Sequence, residues 1–232
     1  SWLEFPLERP EEKTSLEYLR ERCSELPRNF GFCDIYCIIN SELLQCHSNV
    51  NPGSRGEEDP MKLASIDIGT NSVLLLIAEL DKRRLTPIRS EVSITRLGQG
   101  VDKTQRLHPE AVERTVAILS DYAEICSQHD LSHIIVAGTS ALRDAANGEA
   151  FLRRVKDSLG WDIRILTGED EASLTFTATQ YEFNHLEERY LVLDIGGGST
   201  EFMYGDNHAC RFLKSLNIGS VRFTEQYFTQ DP

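Results

Sequence analysis

Two six-residue segments constrain this chain more than any other feature. Asp67-Ile68-Gly69-Thr70-Asn71-Ser72 and Asp194-Ile195-Gly196-Gly197-Gly198-Ser199 share the pattern D-I-G-x-x-S and stand 127 residues apart. Each follows an apolar run of strand character and precedes another, so each reads as a tight β-hairpin whose first strand ends in an aspartate. Self-similarity at this spacing points to a duplicated lobe, with a period far longer than a solenoid uses. The residue types suit one task. A carboxylate at the lip of a sheet holds Mg2+ directly or through water. Glycines let the turn present successive backbone N–H groups as a nest for phosphate oxygens, and Ser or Thr adds a hydroxyl donor. Two such hairpins facing across a cleft grip a phosphate chain from both sides. A Rossmann turn or a Walker P-loop is a different object, because in both the glycine turn leads into a helix. Here Val73-Leu74-Leu75-Leu76-Ile77 continues as strand.

Around these hairpins the sequence alternates strand and helix signals. Strands are expected over 63–68, 73–80 and 85–94, then a helix opening at Pro109 with Val112, Val116, Leu119, Ala123 and Cys126 on one face. A short buried strand over 133–137, a helix over 148–159 and a strand over 162–166 follow. Thr167-Gly168-Glu169-Asp170 reads as a capping box opening a further helix. Strands over 190–193, 201–204 and 209–216 and a helix start near Gly219 complete the pattern. The order describes a mixed α/β lobe and the opening of a second.

Composition narrows the function classes. With 37 acidic against 24 basic residues the net charge is −13, which argues against a nucleic-acid partner. The longest apolar run, Val73 to Ala78, is far short of the roughly 20 residues a membrane span needs. The first ten residues mix Glu, Arg and Pro and do not resemble a secretory leader. Six unevenly spaced cysteines do not make a disulfide scaffold. The expectation is a soluble cytoplasmic protein with no membrane partner. Residues 1–60 stand apart: they carry four of the six cysteines, a charged helical pattern over 11–26, a strand pattern over 32–39 and a linker composition over 49–60. Cys33-x3-Cys37 and His47 lack the paired short knuckles of a structural zinc site, so the segment reads as an extension outside the fold. The chain starts at Ser1, and Met61 stands just before the first strand, as a natural start would.

Two further segments belong with the hairpins. Ala137-Gly138-Thr139-Ser140-Ala141-Leu142-Arg143 leaves the carboxyl end of a strand, where α/β sheets place ligand contacts, and Arg143 has the fork geometry to clamp a phosphate. Thr167-Gly168-Glu169-Asp170-Glu171-Ala172 puts three acids at a helix start, where the macrodipole also favours them.

IDIGTNS, AGTSALRDA, LTGEDEA and LDIGGGSTE, in this order, resemble the exopolyphosphatase and guanosine pentaphosphate phosphohydrolase (Ppx/GppA) family, from Met61 to about Phe228. The family is part of the superfamily of sugar kinases, heat-shock ATPases and actin. The resemblance therefore implies an α/β, RNase H-like lobe over 61–185 and the start of a second, incomplete one over 186–232, with 1–60 outside. It implies Glu171 as the base that activates water, Asp194 as the essential acid of the second loop, and Arg143 on the reacting phosphate. Gly69, Thr70, Asn71, Ser72, Thr139, Ser140, Gly196, Gly197, Gly198, Ser199 and Thr200 would meet phosphate, and Asp67, Asp194 and Glu201 would hold Mg2+. The implied substrate is inorganic polyphosphate or guanosine pentaphosphate, with terminal phosphate released to water by an enzyme that pairs as a homodimer. Because the second lobe ends early against this pattern, the chain is expected to be a fragment of doubtful activity. A kinase or nucleotide-gated ATPase of the same superfamily, and a non-catalytic fragment, remain open alternatives.

Overall fold

The computed structural model describes residues 60–81, 84–183 and 188–228. The helix, strand and cysteine readings within 1–59 lie outside the described residues. The elements are β1 (Met61–Ile68), β2 (Ser72–Asp81), β3 (Arg84–Ile94), α1 (Val101–Thr104), α2 (Pro109–Ser127), β4 (His133–Gly138), α3 (Ser140–Asp144), α4 (Gly148–Leu159), β5 (Ile163–Ile165), α5 (Gly168–Glu182), β6 (Tyr190–Ile195), β7 (Thr200–Gly205), β8 (Cys210–Leu216) and α6 (Ser220–Tyr227). Every strand and long helix expected beyond residue 60 is present. The short helices α1 and α3 are additional, each under two turns and too brief to show a period.

The first sheet runs β3-β2-β1-β4-β5, with β1, β2 and β3 antiparallel and β4 and β5 parallel to β1. This is the RNase H-like order. Alternation along β1 assigns its faces: Ala64, Ile66 and Ile68 enter the main core with Val73, Leu75, Ile77 and Val136, against helices α2 and α4. Leu63, Ser65 and Asp67 face the other way. Helix α2 starts with Pro109 at its first position and His108 as cap, whose Nδ1 accepts from the Glu110 N–H at 3.3 Å. Its buried stripe is Ala111, Thr115, Leu119, Tyr122 and Cys126. The stripe expected from sequence shares Leu119 and Cys126 with it, whereas Val112 and Val116 sit at its half-buried margin. Tyr122, which the expected stripe omits, turns inward and donates its hydroxyl to the Val73 carbonyl at 3.1 Å.

The second sheet, β6-β7-β8, is antiparallel throughout. It repeats the opening of the first in register: Asp67 faces Leu74 and Ile68 faces Val73, while Asp194 faces Glu201 and Ile195 faces Thr200. Each partner lies 127 positions from its counterpart. Helix α5 lies between the sheets. Ala172 and Phe176 pack on Met203, Val192 and Leu213 of the second sheet, and Leu174 packs on Ile135 and Ala137 of the first. The boundary drawn at 185 from sequence puts this helix wholly in the first lobe; its side chains serve both sheets.

Candidate active site

Both hairpins close with the same bond. Gly69 N–H donates to Ser72 C=O at 2.9 Å, and Gly196 N–H to Ser199 C=O at 3.0 Å. The shared sequence thus folds to a shared turn. The first turn is tied down by Asn71, whose carbonyl accepts from the N–H groups of Thr95 and Arg96 at 3.0 and 2.9 Å, and by Thr70, whose carbonyl accepts from Gly98 N–H at 2.8 Å. Thr139, at the end of β4, donates its N–H to the Ile68 carbonyl at 3.2 Å, which brings the third segment alongside the first turn.

The two turns meet. A Cβ on Gly197 would lie 3.0 Å from Thr70 Cβ, and one on Gly198 would lie 2.8 Å from Thr70 Oγ1 and collide with Ser140 Oγ. Glycine at these positions is what permits the approach. Thr70, Ser140, Gly197 and Gly198, all inferred from sequence, therefore converge. Thr200 does not present its hydroxyl there: Oγ1 donates to the Ile218 carbonyl. That bond anchors the end of the turn to the chain entering α6.

The acids assemble beside the turns. Thr167 caps α5 in the expected box: its Oγ1 accepts from Asp170 N–H at 3.0 Å, and Asp170 Oδ2 accepts from Thr167 N–H at 3.1 Å. This fixes the first turn that carries Glu171. Arg143, at the end of α3, donates from Nη1 to Glu171 Oε2 at 2.8 Å and to the Leu166 carbonyl at 2.6 Å. The guanidinium that sequence placed on phosphate is thus also the partner of the proposed base.

One turn further along α5, Thr175 donates its hydroxyl to Asp194 Oδ2 at 3.1 Å. Ser215 of β8 donates to Glu201 Oε1 at 2.7 Å, and α5 approaches so closely there that a Cβ on Gly168 would collide with Ser215 Oγ. Neither hydroxyl was singled out from sequence. Thr175 was legible as the residue four positions after Glu171, on the same helix face; Ser215 carries no such signal.

Asp194 and Glu201 are cross-strand neighbours on the face that α5 covers. Burial raises the pKa of Asp194 against the Thr175 hydrogen bond, which lowers it. Burial also raises Glu201, opposed by bonds from Ser215 and Ser199; the Asp194 charge adds to the rise and Arg143 counters it. Asp67 is buried on the sheet face it shares with Ala137, its β4 neighbour. Among the described residues no group of three or more His, Cys, Asp or Glu side chains is arranged to hold a metal ion. Of the three carboxylates that the resemblance implies as ligands, Asp194 and Glu201 are paired across the second hairpin and Asp67 stands on the first.

A model of the Ppx/GppA phosphatase family matches residues 76–232, starting within β2, just after the first glycine turn. Exopolyphosphatase 2 of Mycobacterium tuberculosis is 39% identical over 180 residues, covering 74% of this chain and 56% of its own. Among solved structures, the Ppx/GppA family member of Aquifex aeolicus aligns with a TM-score of 0.64 at 37% identity, over 75% of this chain and 56% of that one. An exopolyphosphatase from Cytophaga hutchinsonii aligns with a TM-score of 0.71 at 31% identity, over 74% and 55%. The chain spans a little over half the length of these relatives.

Proposed function

The chain belongs to the Ppx/GppA phosphatase family, and from that premise we propose that its site releases the terminal phosphate of inorganic polyphosphate by attack of water. The observation that carries the reading is the convergence of the two glycine turns at Thr70, Ser140, Gly197 and Gly198, with a carboxylate held beside them by an arginine. The exopolyphosphatases among its relatives support the substrate class. Guanosine pentaphosphate ends in the same phosphoanhydride and is the second substrate of the proposal.

Glu171 takes a proton from water as the water oxygen forms a bond to the terminal phosphorus. The anhydride P–O bond breaks, and its electron pair leaves on the shortened chain. Such transfers depend on positioning and on neutralising charge at the phosphoryl oxygens more than on covalent chemistry. Backbone N–H groups of the two turns and the Thr70 and Ser140 hydroxyls supply donors. Both bonds of Arg143 leave from Nη1, so Nη2 and Nε are its arms toward phosphate.

Asp194 and Glu201 offer hard oxygen donors on adjacent strands, and their raised pKa values reflect buried charge that a cation would offset. One or two carboxylates completed by substrate phosphate is the usual way Mg2+ is held, so Asp194 and Glu201 would suit that ion, with Asp67 of the first hairpin the third carboxylate that the sequence resemblance implies. When bound, Mg2+ would neutralise charge on the phosphate oxygens. The proposal includes a cytoplasmic setting, supported by the sparse, uneven cysteines, and pairing of two copies, which rests on the sequence resemblance alone.

The test is phosphate release from long-chain polyphosphate, guanosine pentaphosphate and ATP, assayed in parallel with and without Mg2+, on the wild type and Glu171→Gln. Mg2+-dependent release from polyphosphate that the substitution abolishes is the expected result. Turnover of ATP alone would favour a nucleotide-gated ATPase, and silence on all three a binding module.

A further inference from the structure

A second arginine ties the glycine turns together without taking part in the chemistry above. All three nitrogens of Arg222, in the first turn of α6, are engaged. Nε donates to the Gly198 carbonyl at 2.9 Å, Nη1 pairs with Asp102 of α1, and Nη2 pairs with Asp144 of α3 at 2.7 Å. The side chain is only 17% exposed. One turn further along α6, Glu225 accepts the Gly100 N–H, at the start of α1, with both carboxylate oxygens at 3.0 and 3.1 Å.

The same helix start takes the neighbouring carbonyls. Ser220 N–H donates to Gly196 C=O at 3.0 Å, and the N–H groups of Val221 and Arg222 donate to Gly197 C=O at 2.9 and 3.2 Å. Three consecutive carbonyls of the second turn, Gly196, Gly197 and Gly198, are therefore bound from the α6 side. A trans peptide sets its N–H opposite its C=O, and no described peptide is cis. Pinning these carbonyls aims the N–H groups of Gly197, Gly198 and Ser199 away from α6. The Gly198 carbonyl, and with it the Ser199 N–H, depends on Arg222.

We infer that Arg222 is a positioning residue: it aims the amides of the second glycine turn and, through Asp102 and Asp144, sets that turn against the first lobe, so that both turns grip one phosphate chain. Two carboxylates neutralise its charge, so it works through geometry and not as a phosphate ligand. The inference deepens the phosphate-binding reading and rests on it.

Hydrogen exchange of the full chain, with Mg2+ and with or without inorganic tripolyphosphate, tests it at peptides covering 69–72 and 196–200. In the wild type, tripolyphosphate should slow both turns over one concentration range. In Arg222→Met the second turn should exchange roughly tenfold faster without ligand while the first keeps its ligand-free rate, and roughly tenfold more tripolyphosphate should be needed to protect both turns. Arg222→Lys should recover part of the effect, and Asp102→Asn and Asp144→Asn should act in the same direction and less than additively with Arg222→Met. Unchanged exchange in β1 and β4 serves as the control for folding. Wild-type behaviour of the second turn in Arg222→Met would overturn the inference. Should tripolyphosphate protect neither turn in the wild type, the phosphate-binding reading fails; the ligand-free exchange rate still decides whether Arg222 holds the turn.

Discussion

Glu171 and the Asp194–Glu201 pair separate cleanly by environment. Glu171 is held by a guanidinium at 2.8 Å, whereas Glu201 is buried and Asp194 half-buried, both beside hydroxyls and both with raised pKa values. Removing the base, Glu171→Gln, should lower kcat by about 10²–10⁴-fold with little effect on the melting temperature. The pair gives a pH dependence of definite sign. With pKa values raised by folding, Asp194 and Glu201 keep protons that the unfolded chain has already lost, so stability falls as pH rises from about 4 through their folded values. Glu201→Gln should therefore melt higher than the wild type at pH 7, with the difference shrinking toward pH 4. Mg2+ should stabilise the wild type at pH 7 and lose that effect on acidification. A set of thermal melts across pH, with and without Mg2+, reads both trends.

At the scale of elements, α5, which carries Glu171 and Thr175, is fixed at two points. The capping box holds its first turn, and Phe176 anchors its middle in the second sheet at 1% exposure. Thr167→Ala should cost about 1 kcal/mol in stability and should also lower kcat, because Glu171 lies in that turn; denaturant melts and steady-state rates check the two effects. Phe176→Ala should cost about 3–5 kcal/mol. The entry to α6 is less forgiving still. A Cβ on Gly219 would collide with backbone atoms of Gly197 and Gly198, which no rotamer change relieves. Gly219→Ala is expected to lower the melting temperature and loosen the second turn, seen as faster exchange at 196–200.

These elements also show what could be read in advance. The capping box and the strand–turn–strand pattern are local, so Thr167, Asp170 and both glycine turns were legible in the sequence. The roles of Ser215, Arg222, Asp102 and Asp144 depend on contacts between distant segments, which periodicity does not encode. The bond from the Thr200 hydroxyl to the Ile218 carbonyl is of the same kind, joining the turn to a segment 18 positions further along the chain.

For the whole molecule, the duplication is close in the backbone of the two opening hairpins and broken in chemistry. The two hairpins share register and closing bond, yet Asp67 faces Leu74 where Asp194 faces Glu201. Only the second hairpin offers paired carboxylates, so the expected cation site belongs to it, while the first contributes Thr70 and a single acid. The symmetry was visible from the repeat alone, but its breaking needed the strand register. The central claim is that the two turns form opposite walls of one phosphate site. A crystal structure of the chain grown with Mg2+ and inorganic tripolyphosphate tests it most directly. The account predicts a phosphate chain touching backbone amides of both Gly69–Ser72 and Gly196–Thr200, with its terminal phosphorus toward Glu171; phosphate bound to one turn alone, or elsewhere on the molecule, would contradict it.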